Sequence, residues 1–168
     1  MNARLRWEHQ DRLAAAQPPR QTRPAVPGKW IAVDLHGTLA RYDASLVAAD
    51  PLHVGHPIPE MVDRVKLWMA EGHEVRIFTA KIFPLWKVEP GIAHTAFIAF
   101  GHNEGDRLVK ESLPAAAAIQ AWSLKHLGRV LTLTCVKDRN CREVWDDKAV
   151  PVQKDVGAIL YDDEREFT

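Results

Sequence analysis

The apolar positions of this chain fall into short unbroken runs and longer helical stripes that alternate along its middle. Trp30, Ile31, Ala32 and Val33 have no polar residue among them, the pattern of a strand covered on both faces. From Pro59 to Glu71, Met61, Val62, Val65, Leu67, Trp68 and Met69 recur at helical spacing, with Pro59 near the start and Gly72 just past the end. This predicts an amphipathic helix. EVRIFTAK, beginning at Glu74, alternates and then runs apolar into Thr79, which makes it a second strand. A strand, a helix and a strand in succession require a right-handed crossover and a parallel pair. Thr79 and Asp34, the residue that ends the first strand, therefore emerge at one sheet edge. Pro114 opens an alanine-rich helix with Ile119, Trp122, Leu124 and Leu127 on its apolar face and Gly128 as its cap. Val130 to Val136 reads as a third strand and REVWDDKAV as a short fourth ending in Asp146 and Asp147. AVPVQKDVGAILY gives a fifth, edge strand and a turn. The alternation is that of an α/β domain built on a parallel sheet.

Other segments lack a sustained period. Residues 1–28 carry Leu5, Trp7 and Leu13 and then the proline-rich QPPRQTRPAVPG, so they form a disordered or extended arm. The arm is basic: through Lys29, Arg4, Arg6, Arg12, Arg20 and Arg23 face only Glu8 and Asp11. ARYDASLVAADPLHVGHPIPE, beginning at Ala40, is turn-rich and reads as a flap over the sheet edge. His53 and His56 within it have no third protein ligand beside them and read as surface or capping residues. Residues 82–113 form an insertion between core elements, either a small lid with a short helix over Ala93 to Phe100 or a plain connecting excursion. The folded domain spans 29–160, and 161–168 is a mobile acidic tail.

Composition narrows the classes. A chain of 168 residues that is 46% hydrophobic supports one domain with its own core. Lys plus Arg equals Asp plus Glu at 22 each, so no global field draws nucleic acid or a membrane surface, and any polyanion binding must be local. Cys135 and Cys141 are too few for a disulfide framework and read as reduced packing residues. No apolar run approaches the ~20 residues of a membrane span. The N-terminus lacks a signal-type apolar core, so the expected address is cytoplasmic.

Candidate chemistry collects at strand ends. Asp34 stands at the carboxyl end of the first strand, where open α/β sheets gather ligands. Gly37 permits a sharp turn, and Thr38 offers a hydroxyl and an N–H to an anion. Asp146 and Asp147 repel one another; Mg²⁺ would compensate them, and so would a solvated turn.

The order Asp34 with Gly37 and Thr38, then Thr79, then Lys137, then Asp146 and Asp147 resembles motifs I to IV of the haloacid dehalogenase (HAD) superfamily. Within it the texture looks like small bacterial or phage-type members and, more distantly, the 3′-phosphatase domain of polynucleotide kinase. The resemblance implies a Rossmann-like parallel sheet ordered 3-2-1-4-5, with helices on both faces and little or no cap. It implies Mg²⁺ held by Asp34, the backbone carbonyl of His36, Asp146 and Asp147. Asp34 would attack phosphorus to form an aspartyl phosphate, with Gly37, Thr38, Thr79 and Lys137 on the phosphoryl group and Lys81 as the alternative cation. The implied substrate is a small phosphorylated molecule or a phosphorylated nucleic-acid end. The chain departs from the pattern at His36, where D-x-D-G-T has its second aspartate, the acid and base of HAD phosphatases. Three readings stay open: a phosphatase using His36 as acid and base, a slow or specialised phosphotransfer enzyme, and a non-catalytic binding protein for a phosphorylated ligand or a partner.

Overall fold

The computed structural model describes residues 23–83, 85, 87–89, 92–94, 102–149, 152, 154 and 155. In chain order these hold β1 (Trp30–Asp34), α1 (Ala44–Ala49), α2 (Pro59–Ala70), β2 (Glu74–Phe78), one 3₁₀ turn (Ala80–Ile82), β3 (Lys87–Glu89), β4 (Ile92–His94), α3 (His102–Leu127), β5 (Thr132–Thr134) and β6 (Cys141–Trp145). They make a six-stranded sheet in the order β4-β3-β5-β2-β1-β6. Its core is four parallel strands, β5-β2-β1-β6, which is the order 3-2-1-4 of the strands read from the sequence. Most of the expected fifth strand, in AVPVQKDVGAILY, lies outside the described residues.

Two expectations need correction. The segment read as a lid with a helix from Ala93 instead adds a hairpin to the sheet. β3 pairs antiparallel with β5, and β4 with β3, placing Ala93 in a strand; residues 95–100 lie outside the described set. The helix expected to open at Pro114 begins at His102 and holds Pro114 in its interior. A proline there removes one i→i−4 hydrogen bond and crowds a carbonyl; tertiary packing outweighs that cost.

Alternate residues of the strands separate two faces. Ile31, Val33, Val75, Ile77 and Leu133 join Val62, Val65 and Trp68 of α2 and Ile119 and Trp122 of α3 in one core, so both long helices pack on the same face. Trp145, in register with Val33, meets Trp68 at 5.0 Å between ring centroids. The opposite face carries Trp30 and Ala32, both fully buried, and the Arg76 guanidinium lies 4.5 Å over the Trp30 ring. Asp138 accepts from Trp30 Nε1 at 3.0 Å and pairs with Arg76 at 3.7 Å. Helices were expected on both faces, but among the described residues this second face is met by the coil from Cys135 to Asn140, through Asp138, and no helix is seen on it, because the link from β5 to β6 contains none. The described end of the basic arm touches the body, where Arg142 Nη1 donates to the Pro24 carbonyl at 2.7 Å. Among the described residues no helix is long and apolar enough to cross a membrane.

Candidate active site

β1 and β6 run parallel with Val33 opposite Trp145, so the next residues, Asp34 and Asp146, leave the sheet side by side. The chain then turns sharply after β1. Leu39 and Ala40 both donate to the Leu35 carbonyl, at 3.1 and 2.7 Å, and Gly37 donates to Ala40 at 2.8 Å. Gly37 has φ +97°, and a Cβ there would lie 2.5 Å from Asp147 Oδ2. Only glycine leaves room for that carboxylate. The Asp147 N–H donates to Thr38 Oγ1 at 3.0 Å, and the Lys148 N–H donates to Asp146 Oδ1 at 2.8 Å. Carboxylate oxygens of Asp34, Asp146 and Asp147 consequently lie within 4.8 Å of one another.

Gly37 and Thr38, expected on the phosphoryl group, thus have a different task in this geometry. The Gly37 N–H closes the turn, and the Thr38 hydroxyl holds Asp147 in place. Thr79 is buried directly after Phe78, the register partner of Asp34. Its N–H donates to the Thr134 carbonyl at 2.9 Å, and its hydroxyl oxygen accepts from the Lys81 N–H at 3.3 Å. It sits at the expected edge and caps the 3₁₀ turn.

Lys137 is the displaced residue. Its charge acts on the thiol of Cys141, which pairs with Trp30 at the amino end of β1, whereas the lysine acting on Asp34 is Lys148. The physical reason is topological. After β5 the chain must return to the amino edge to start another parallel strand, and Lys137 lies on that return. Lys148 and Lys81 both act on His36. The reading from sequence missed Lys148; its signal was a basic residue directly behind the acid pair.

Burial, then the neighbouring Asp146 and Asp147, pushes the Asp34 carboxyl up to about 6, against the lowering effects of the Leu35 N–H and Lys148. Burial first, then Lys81 and Lys148, brings the His36 imidazole down to about 4, while a hydrogen bond with the Val54 backbone opposes this. His36 meets Tyr42 edge-on at 5.8 Å, and its buried Nε2 has no hydrogen-bond partner among the described residues.

The flap closes on itself beside these groups. Arg41 donates to the His56 carbonyl at 2.8 Å and Ile58 to Leu39 at 3.0 Å. Within the flap, Asp43 caps α1 by accepting from the Ser45 and Leu46 amides at 2.9 and 3.2 Å, a short helix that the aperiodic sequence did not announce. Trp122 Nε1 donates to the Gly55 carbonyl at 2.8 Å and ties the flap to α3. The His53 and His56 rings face one another edge-on at 6.1 Å.

The donor set at the strand ends is all oxygen, the three carboxylates of Asp34, Asp146 and Asp147. Such a set fits a hard dication such as Mg²⁺ better than zinc. Set against family models, curated proteins and solved structures, the chain finds no match.

Proposed function

We propose that this chain is a Mg²⁺-dependent phosphoryl-transfer hydrolase of the HAD type, with Asp34 as its nucleophile. One observation carries the reading: two parallel strand ends bring three carboxylates within 4.8 Å, with the third clamped between Gly37 and Thr38. Carboxylates this close repel one another, and a cation among them would offset that repulsion. Asp34, Asp146, Asp147 and the His36 carbonyl would hold Mg²⁺, which supplies charge neutralisation for the carboxylates and the phosphoryl oxygens. Asp34 Oδ attacks phosphorus, the bond to the leaving oxygen breaks, and water later releases phosphate from the aspartyl ester.

His36 favours the specialised reading over an ordinary phosphatase. With its imidazole near 4, only about one site in a thousand is protonated at neutral pH. The buried Nε2 can then accept a proton from attacking water, but it is a poor acid toward a leaving alkoxide. The remote Lys137 and the committed Gly37 amide favour the second reading, a binding protein for a phosphorylated ligand with little turnover. Phosphate release from p-nitrophenyl phosphate with Mg²⁺ separates them. The enzyme reading expects turnover that Asp34→Asn abolishes, whereas no turnover by a Mg²⁺-loaded protein, or an unaffected Asp34→Asn, would reject Asp34 catalysis.

A further inference from the structure

Resting on the phosphoryl site of that reading, we propose that Tyr42 is a platform for a planar ring of the ligand, so that the site takes nucleoside monophosphates, with the phosphate at the strand-end carboxylates and the base on Tyr42. The side chain of Tyr42 is held and yet open. Its ring meets His36 edge-on, with centroids 5.8 Å apart and planes at 88°, while the residue stays 59% exposed. His36 follows Asp34 by two residues, so this contact brings an aromatic ring to the side of the carboxylate cluster. A perpendicular contact uses either an edge of the tyrosine ring or one of its faces, and both cases leave at least one face open. Offset stacking on that face is a favoured geometry for a second aromatic ring.

The backbone on both sides of the ring is fixed. Before it, Ala40 bridges to His36 and to Pro57, and the Arg41 N–H donates to the His56 carbonyl at 2.8 Å. After it, Asp43 caps α1, its Oδ1 accepting from the Ser45 amide and hydroxyl at 2.9 and 2.6 Å. A large ring held out in water by an anchored backbone loses little conformational freedom when a ligand covers it, the property of an aromatic binding anchor. Leu46 and Leu52, 37% and 43% exposed, add apolar surface to the same flap. Every nucleobase has a flat π-face, so stacking on Tyr42 tolerates any base. The sugar supplies the spacing that His36 sets between the carboxylates and the tyrosine.

The test compares adenosine 5′-monophosphate with ribose 5-phosphate, which share the phosphate and the leaving oxygen and differ by the base. Calorimetry on the full chain in Mg²⁺ reads binding of their non-hydrolysable analogues, with CH₂ in place of the leaving oxygen, and phosphate release reads turnover of the esters themselves. Both are measured for wild type, Tyr42→Ala, Tyr42→Phe and Tyr42→Trp. The inference predicts that wild type binds the adenosine analogue about tenfold tighter than the ribose analogue. Tyr42→Ala should lose that preference, weakening the adenosine analogue about tenfold at unchanged affinity for the ribose analogue and for Mg²⁺. Tyr42→Phe and Tyr42→Trp keep a π-face and should keep the preference, with kcat/KM for the two esters following the same order. Equal affinity or none for the two analogues, or a Tyr42→Ala that keeps the preference or weakens both alike, would overturn the inference. The hydrolase reading would still stand on release from p-nitrophenyl phosphate, which carries no base. A wild type that binds neither analogue and releases no phosphate from p-nitrophenyl phosphate in Mg²⁺ would end both.

Discussion

Asp34 and His36 stand two residues apart with their ionisation displaced in opposite directions, and this sets a testable pH dependence for the metal-free protein. Asp34 rises from 3.8 to about 6, so the stability it contributes is fully present below pH 4 and is lost as pH rises through 6. His36 falls from 6.5 to about 4, so its contribution is present above 6.5 and is lost as pH falls through 4. In EDTA the two slopes oppose one another, and the pair leaves the melting temperature of wild type nearly level between pH 4 and 6.5. Because both side chains are half exposed, each contributes on the order of 1 kcal/mol. Asp34→Asn should expose a melting temperature that climbs with pH across this window, and His36→Gln one that falls. Thermal melts at half-unit steps check this, and two variants with the same slope would contradict it. At this scale the sequence showed the acids and their order. It did not show that Gly37 makes room for Asp147, because that contact joins residues 110 positions apart.

Among the elements, α3 carries the sharpest consequence. Pro114 is exposed and interior to a 26-residue helix, where proline lacks the N–H its position calls for. Pro114→Ala should raise stability by about 1–3 kcal/mol, read as a higher urea midpoint at unchanged slope; a fall would mean that the proline shapes a bend the packing requires. β1, α2 and β2 were legible because their apolar periods run the full length of each element. The β3–β4 hairpin was not, since three-residue strands carry almost no periodicity. The start of α3 was hidden because Pro114 imitates the first position of a helix.

For the whole molecule, one topological fact decides which residues meet. Parallel strands deliver their carboxyl ends to one edge, and each connection leaves that edge and must return to the other, so Asp34, Thr79, Asp146 and Asp147 gather while Lys137 lies on the coil that returns to β6. Residue order along the chain put the first group at one edge, as the structure does, whereas Lys137, three residues past a short strand, lies on the return path toward Cys141. The central claim is that the gathered carboxylates bind a dication, and calorimetric titration of Mg²⁺ into the metal-free protein tests it most directly. The account predicts saturable binding of one ion per chain, lost in the folded Asp146→Asn, Asp147→Asn double variant. Absence of binding to folded wild type, or equal binding by the double variant, would contradict it.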